Sequence, residues 1–461
     1  MTNDPAHQNF AQQEIRLIRA FPSLRHAPWL QWLGRSGAYA VGAAFLTILS
    51  AATAILAPML LDPASFGAFA LLTTLFQIAG KSDLGLSQLA DRELATQSDI
   101  HSDHAENIIK ARWAMGLFVL LVIMPAGMVA AALNGRLSPT DTALAIFGGT
   151  AGMIAGGPVS VYRAASKIWE FTLSALAFQI GMTFPRLAGL IFGGTTGCFL
   201  VLAIWYGGFA ALFARPSCKA ALDWTLLMRM LKTAFPLFAF STAWLIYLFA
   251  NRWISAALSS PEDLGYFAFG ANLAYVAIGT LGGIAQVYYP RLLRKISDSQ
   301  PFACSALVIR EAETLGLILL IAVGVTLPFA HVLIRLAFPH FIPSTETTML
   351  MAIACVPLGV VAWLIPVVIA RSSRPWLDAL TTVGISCLFL LIAMVVGNSI
   401  NGIVGQGWGV LGSSLILSAS LALLLNRQNI LGVSAAFRFV GVHSLMVGSL
   451  SLVFIICTKI L

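Results

Sequence analysis

Charge is scarce in this sequence. Asp, Glu, Lys and Arg make up 10% of its 461 residues and hydrophobic residues 58%, whereas a soluble domain carries about a quarter charged residues. Too little polar surface is available to cover a water-soluble chain of this length, so most of it is expected to lie in a bilayer. Paired cysteine is missing as well. Cys198, Cys218, Cys304, Cys355, Cys387 and Cys457 stand singly with no CxxC spacing, and the seven histidines are dispersed, which excludes a disulfide framework and a zinc site. No P-loop, G-x-S-x-G elbow or HExxH pair occurs, so no catalytic residue, cofactor or metal is assigned and ATP is not the direct energy source. The reading is of a transporter-like chain, not an enzyme.

Long apolar runs are abundant. A crossing helix needs roughly 20 apolar residues, and hydropathy places them at 37–61, 66–89, 113–133, 141–163, 169–193 and 197–214, then at 233–259, 264–288, 313–337, 345–370, 376–397 and 404–425. A thirteenth, at 440–460, either crosses or lies along one face. The predicted fold class is an all-α polytopic membrane protein: 12 core helices in two parallel six-helix halves around a central cavity, plus a C-terminal helix. The expected divisions are an N-terminal segment 1–36, a first half 37–215, a linker 216–232, a second half 233–426 and an extra helix 427–461. The run after residue 36 is too long for a signal-peptide core. Within 10–33, arginines mix with Trp29 and Trp32, which fits either an interfacial helix or a poorly ordered tail.

Cytoplasmic loops retain Lys and Arg. With the N-terminus inside, only Arg136, Arg335 and Lys459 fall outside, and only Lys81, Arg186 and Arg252 fall within spans. Topology therefore accounts for the net charge of +8 without nucleic acid. The outside loops are all short, which counts against a polymerase or ligase of envelope glycans.

An offset of 198 residues lays Pro63, Gly67, Phe69 and Ala70 on Pro261, Gly265, Phe267 and Ala268. An even number of crossings separates the two segments, so they share one orientation. This is the mark of a parallel repeat about an axis along the membrane normal.

Two stretches carry a family resemblance. Residues 66–95, FGAFALLTTLFQIAGKSDLGLSQLADRELA, and 235–296, which opens FPLFAFSTAWLIYLFANRWISAALSSPEDLGYFA, resemble the polysaccharide flippases. That branch belongs to the superfamily containing multidrug and toxin extruders and the peptidoglycan lipid II flippase. The resemblance spans the twelve-helix core. It implies flipping of a polyprenyl-pyrophosphate-linked oligosaccharide across a bacterial cytoplasmic membrane by alternating access, with membrane lipids, a coupling proton or sodium ion and polysaccharide-assembly proteins as partners. Asn251 stands before Arg252 where family members often have Asp. The alternatives are a drug or metabolite antiporter of the same superfamily and a membrane enzyme of envelope synthesis.

An ionised side chain at mid-membrane costs roughly 2.5–3.5 kcal/mol on insertion scales, so each calls for a cavity, a partner or a purpose. Lys81, Arg186 and Arg252 are the candidate contacts for an anionic substrate, against the alternative that they snorkel to headgroups. Asp83 is read either as a coupling site or as a structural group pairing with Arg92 or a neighbouring helix. Gln77, Gln179, Tyr247, Asn272 and Tyr275 are candidate sugar contacts; aromatic belts and helix-linking amides are the plainer account of them.

Overall fold

The computed structural model describes residues 55–87, 89, 103–164, 168–215, 224–298, 301–372 and 374–460. The segment 1–36, nearly all of the first expected crossing, and Arg92 lie outside the described residues. The described residues are helical throughout, without a strand.

Helix α1 is Pro63–Ala79; α2, Asp103–Phe118, runs through a π turn into α3, Met124–Asn134; α4 is Pro139–Ala164 and α5 Ile168–Phe213. Then follow α6 (Trp224–Leu258), α7 (Pro261–Asp298), α8 (Pro301–Ala337), a 3-10 turn (Pro339–Ser344), α9 (Thr345–Arg371), the short α10 (Pro375–Ala379), α11 (Ile385–Arg427) and α12 (Val433–Ile460). Among the described residues, seven helical stretches are long and apolar enough to cross a membrane. Their outward faces are apolar: Leu121, Leu133, Leu336 and Leu445 are each more than 70% exposed. In a soluble protein such faces would be aggregation patches; in a bilayer they meet lipid.

Several helices outrun the hydropathy spans. α6 begins at Trp224, so much of the expected linker is helix, and α12 begins at Val433. Hydropathy detects only the part of a helix within hydrocarbon, and polar end turns extend it unseen.

Two stretches, Leu173–Phe213 with 41 residues and Pro375–Arg427 with 53, are about twice the length one crossing needs. Each reverses on itself. α5 breaks at Gly193–Gly194, where Gly194 has φ 58°, and α11 breaks at Asn401–Gly402, where Gly402 has φ 52°. The returning arm packs on backbone. A Cβ added to Gly189 would sit 2.5 Å from the carbonyl oxygen of Gly197, and one on Gly397 would sit 2.1 Å from that of Gly405. Both reversals thus have glycine, a positive-φ glycine and glycine at the same spacing, a second likeness between the two parts of the chain.

The first likeness becomes a contact. α1 and α7 start with reciprocal caps. Asp62 accepts hydrogen bonds from the Ser65 backbone N (3.0 Å) and Oγ (2.7 Å). Ser260 Oγ accepts from the Asp263 N (3.1 Å) and donates to its carboxylate (2.8 Å). Proline follows each cap at the first helical position, where its missing N–H costs nothing. The two helices then meet on glycine. A Cβ on Gly265 would lie 1.8 Å from the carbonyl oxygen of Pro63, and one on Gly67 would lie 3.1 Å from that of Pro261 and 3.0 Å from the Gly265 N. Each glycine faces the other helix's opening proline, as a two-fold relation between the segments requires. Around the crossing, Phe66, Phe269 and Phe341 stack, with Phe269 and Phe341 centroids 4.7 Å apart.

Gly265→Ala is therefore expected to cost about 3 kcal/mol or more, at or above the usual range for overpacking, because backbone cannot yield as a side chain does. Gly208→Ala and Gly448→Ala, whose added Cβ meets nothing within 4 Å, serve as controls. Thermal unfolding of the purified protein in detergent should show a large loss for the first and unchanged midpoints for the others.

Candidate functional site

Two threonines in the middle of α1 bond side chains of two neighbouring helices. Thr73 Oγ1 accepts a hydrogen bond from Arg186 Nη2 on α5 at 3.2 Å. Thr74 donates to the Leu71 carbonyl (2.7 Å) and so can accept from Trp253 Nε1 on α6 at 2.9 Å. Trp253 adjoins Arg252. Successive helix positions point about 100° apart, so α1 offers one hydroxyl to Arg186 of α5 and the other to Trp253 of α6, the residue after Arg252.

Their surroundings are aromatic. The Arg186 guanidinium lies 5.1 Å from the Phe69 ring centroid, and that of Arg252 lies 5.1 Å from Tyr275 and 6.0 Å from Phe249. Arg252 is 2% exposed and Arg186 half-buried. The two are within Coulombic reach of one another. Neither has a carboxylate within salt-bridge distance among the described residues, and the Nε of each is buried with no acceptor. Ring faces return about 0.5–2 kcal/mol per cation, less than the several kcal/mol an uncompensated buried charge costs. The chemistry this pair can perform is to bind an anion rich in oxygens, for which the guanidinium fork is shaped.

Helix geometry gives its depth. At about 1.5 Å per residue, Thr73 is roughly 15 Å from the start of α1, and Arg186 and Arg252 lie roughly 10 Å from the reversal at Gly193 and from the end of α6. The pair thus occupies the half of the bundle nearer the α1–α7 crossing.

The third predicted cation is elsewhere. Lys81 is exposed, on the turn beyond α1 and about 12 Å along the chain axis from Thr73. Gln77, half-buried, shares the Thr73 face of α1 and lies one turn nearer Lys81. Along Thr73, Gln77 and Lys81 exposure rises steadily, so this polar row reaches from the arginine pair toward the opposite end. Gln179, exposed, lies two turns before Arg186 on the same face of α5.

The remaining candidates differ in kind. Tyr275 is a support for Arg252, and its hydroxyl accepts a hydrogen bond from Asn251 Nδ2. Asn251 thus faces Tyr275, in place of the ion pair with Arg252 that an aspartate would have suggested. Tyr247 is buried, with its hydroxyl 2.8 Å from Ser413 Oγ and its ring stacked on Trp244, which makes it a strut between α6 and α11. Asn272 is half-buried one turn before Tyr275 on α7.

Asp83 is committed to structure. It accepts from Arg112 Nη2 at 2.9 Å, from the backbone N of Gly85 (3.2 Å) and Ser87 (3.1 Å), and from the Ser87 hydroxyl. Arg112 also donates to the Met153 carbonyl (3.0 Å) and Ser160 (3.3 Å) on α4, where Gly156 and Gly157 leave it room. The turn needs Gly85, which has φ +91° and whose added Cβ would meet the Ala234 carbonyl at 2.6 Å. The sequence reading foresaw a neighbouring-helix partner without naming Arg112; the paired glycines of α4 were the available signal. Thr73 and Thr74 were missed too, although adjacent hydroxyls inside an apolar helix are themselves a cue.

No protein-family model matches the sequence, and no curated protein matches it. Solved structures do match in fold. A lipid II flippase, MurJ, in an inward closed conformation superposes with a TM-score of 0.64 at 12% identity, covering 92% of this chain and 95% of its own. A eukaryotic MATE transporter, AtDTX14, gives 0.55 at 13%, covering 89% and 98%. A Vibrio cholerae MATE transporter, VcmN, gives 0.52 at 16%, covering 92% and 98%. The chain has the all-α fold of these membrane transporters.

Removing one partner of the Asp83–Arg112 pair strands the other in a dry site, at roughly 3–5 kcal/mol. Arg112→Leu and Asp83→Leu are each expected to lower the unfolding midpoint sharply, and the double substitution to cost less than the sum of the two. Strict additivity in that double-mutant cycle would show that the two side chains do not act as a unit.

Proposed function

We propose that this protein flips a polyprenyl-pyrophosphate-linked oligosaccharide from the inner to the outer leaflet of a bacterial cytoplasmic membrane by alternating access between 37–215 and 233–426, with its N-terminus in the cytoplasm. The observation that carries the reading is that Arg186 and Arg252, each with a buried Nε that has no acceptor, have no carboxylate to neutralise them among the described residues. A pyrophosphate supplies the missing charge and enough oxygens to engage both guanidinium forks. The energy otherwise lost to two unpaired cations becomes binding energy for an anion.

In this reading Lys81 meets the anionic head at the cytoplasmic mouth, the row through Gln77 guides it inward, and the arginine pair receives it deeper. Gln179 and Asn272 border the route as amides suited to sugar hydroxyls. The polyprenyl tail never leaves the bilayer, consistent with the apolar outer faces of the helices. Coupling to a proton or sodium ion and contact with polysaccharide-assembly proteins belong to the same reading. The rival, an antiporter of cationic drugs or metabolites, needs an available carboxylate inside the bundle, and Asp83 is already held by Arg112 and Ser87.

The test is the leaflet distribution of lipid-linked oligosaccharide in cells carrying wild type, Arg186→Ala, Arg252→Ala or Lys81→Ala at equal membrane abundance. Removing either arginine is expected to lower outer-leaflet glycan at least tenfold, equivalent to about 1.4 kcal/mol of lost transition-state stabilisation, with precursor accumulating inside. Lys81→Ala should have the smaller effect, since that side chain is exposed. Unchanged glycan in all three variants and in a complete deletion would sink the flippase reading in favour of the antiporter.

A further inference from the structure

α12 carries one polar group in its buried seam. Phe439, Val447, Leu450 and Phe454 pack into the core beside α8, α9 and α11, and His443, 1% exposed, stands among them. Its Nδ1 lies 2.6 Å from the Phe439 carbonyl oxygen. A carbonyl only accepts, so Nδ1 carries the proton and Nε2 is the bare lone pair. Nε2 is buried and has no partner. A leucine would fill this place without leaving a buried acceptor unsatisfied, an omission that is costly in a dry site.

The lone pair is aimed at a gap in α8. A Cβ added to Gly316 would lie 3.3 Å from His443 Nε2 and 3.2 Å from Met446 Sδ, so glycine is what lets the imidazole reach α8. One turn earlier on α8 is Glu313. Arg438, five residues before His443, holds that carboxylate through two bonds of 2.7 Å each. The Arg438 side chain is 63% exposed and that of Glu313 23%, so the ion pair forms a half-wet rim over the dry imidazole.

Few other charged groups lie nearby. α8 also presents Arg310 and Glu311, within the turn before Glu313; α9 carries only Cys355 among titratable groups between Met349 and Val368, with Glu346 at its far end. The returning arm of α11 has none before Arg427, which is exposed, and on α12 itself Cys457 and Lys459 are remote. Glu313 and its partner Arg438 are therefore the charged groups set over the His443 end of this seam.

We propose that His443 is a proton-binding site of this transporter, loaded past the Glu313–Arg438 rim. Binding places a proton on Nε2 and makes the ring a cation with two donors. Nδ1 keeps the Phe439 carbonyl, and Nε2–H turns to Glu313, which then divides its oxygens between His443 and Arg438. The docking of α12 on α8 thereby depends on pH. The inference does not rest on the nature of the transported substrate.

The experiment is nitrogen NMR of the full-length chain, labelled with 15N-histidine, in lipid nanodiscs between pH 5 and 8. His443→Gln identifies the His443 signals, and His443→Asn serves where that variant does not fold. At pH 8 the spectrum should show the neutral ring protonated on Nδ1, passing to the imidazolium through a single inflection on acidification. Glu313→Gln should move that inflection about tenfold in proton concentration toward lower pH, because the anion that favours imidazolium is gone, and Arg438→Gln should move it toward higher pH. These two variants keep His443 in place, so the test survives failure of its substitution. A ring that stays neutral to pH 5, or an inflection indifferent to both rim substitutions, would overturn the proposal and leave His443 as a packing residue.

Discussion

The contact on which this structure depends is the crossing of α1 over α7 at Gly67 and Gly265. Nothing larger than hydrogen fits there, since a Cβ on Gly265 would fall inside the van der Waals radius of the Pro63 oxygen. Between membrane helices the hydrophobic effect supplies little attraction, because lipid is as apolar as leucine. Close backbone approach and dispersion take over, and both require small residues at the seam. The approach has consequences along α1. It brings Phe66 onto Phe269 and Phe341, and two turns further it leaves α1 wedged so that Thr73 and Thr74 can serve α5 and α6 together. A wider crossing would part those hydroxyls from Arg186 and Trp253.

Much of this was legible in sequence because the bilayer imposes a coarse rule. Length and hydropathy are enough to mark crossings, and the breaks expected between 193 and 197 and between 397 and 404 coincide with the reversals at Gly194 and Gly402. Pro63, Gly67 and their counterparts at 261 and 265 were visible as a repeat, although their direct contact was not, because identity of pattern says nothing about which surfaces touch. Helix ends such as 224–232 were invisible to hydropathy, being helical and polar at once. The site was legible only in part. Arg186 and Arg252 could be singled out as charges in apolar helices, while the bonds by which α1 engages Arg186 and Trp253 are tertiary facts. Lys81 was singled out by the same rule and lies apart from them.

Three arginines show how one side chain takes different roles in a low-dielectric bundle. Arg112 is held by a carboxylate, a carbonyl and hydroxyls, so its charge fastens α2 to α4 and to the turn after α1. Arg438 is exposed and pairs with Glu313 at the edge, where solvent screens most of the attraction. Arg186 and Arg252 have aromatic faces and hydroxyls and no anion among the described residues. A hydroxyl or a ring orients a guanidinium without neutralising it, so these two remain cations with binding capacity that the fold itself does not use. Folding alone would be served better by leucine at both positions. Their retention inside a bundle whose other buried charges are paired is the physical reason to look for the function there, in the half nearer the glycine crossing.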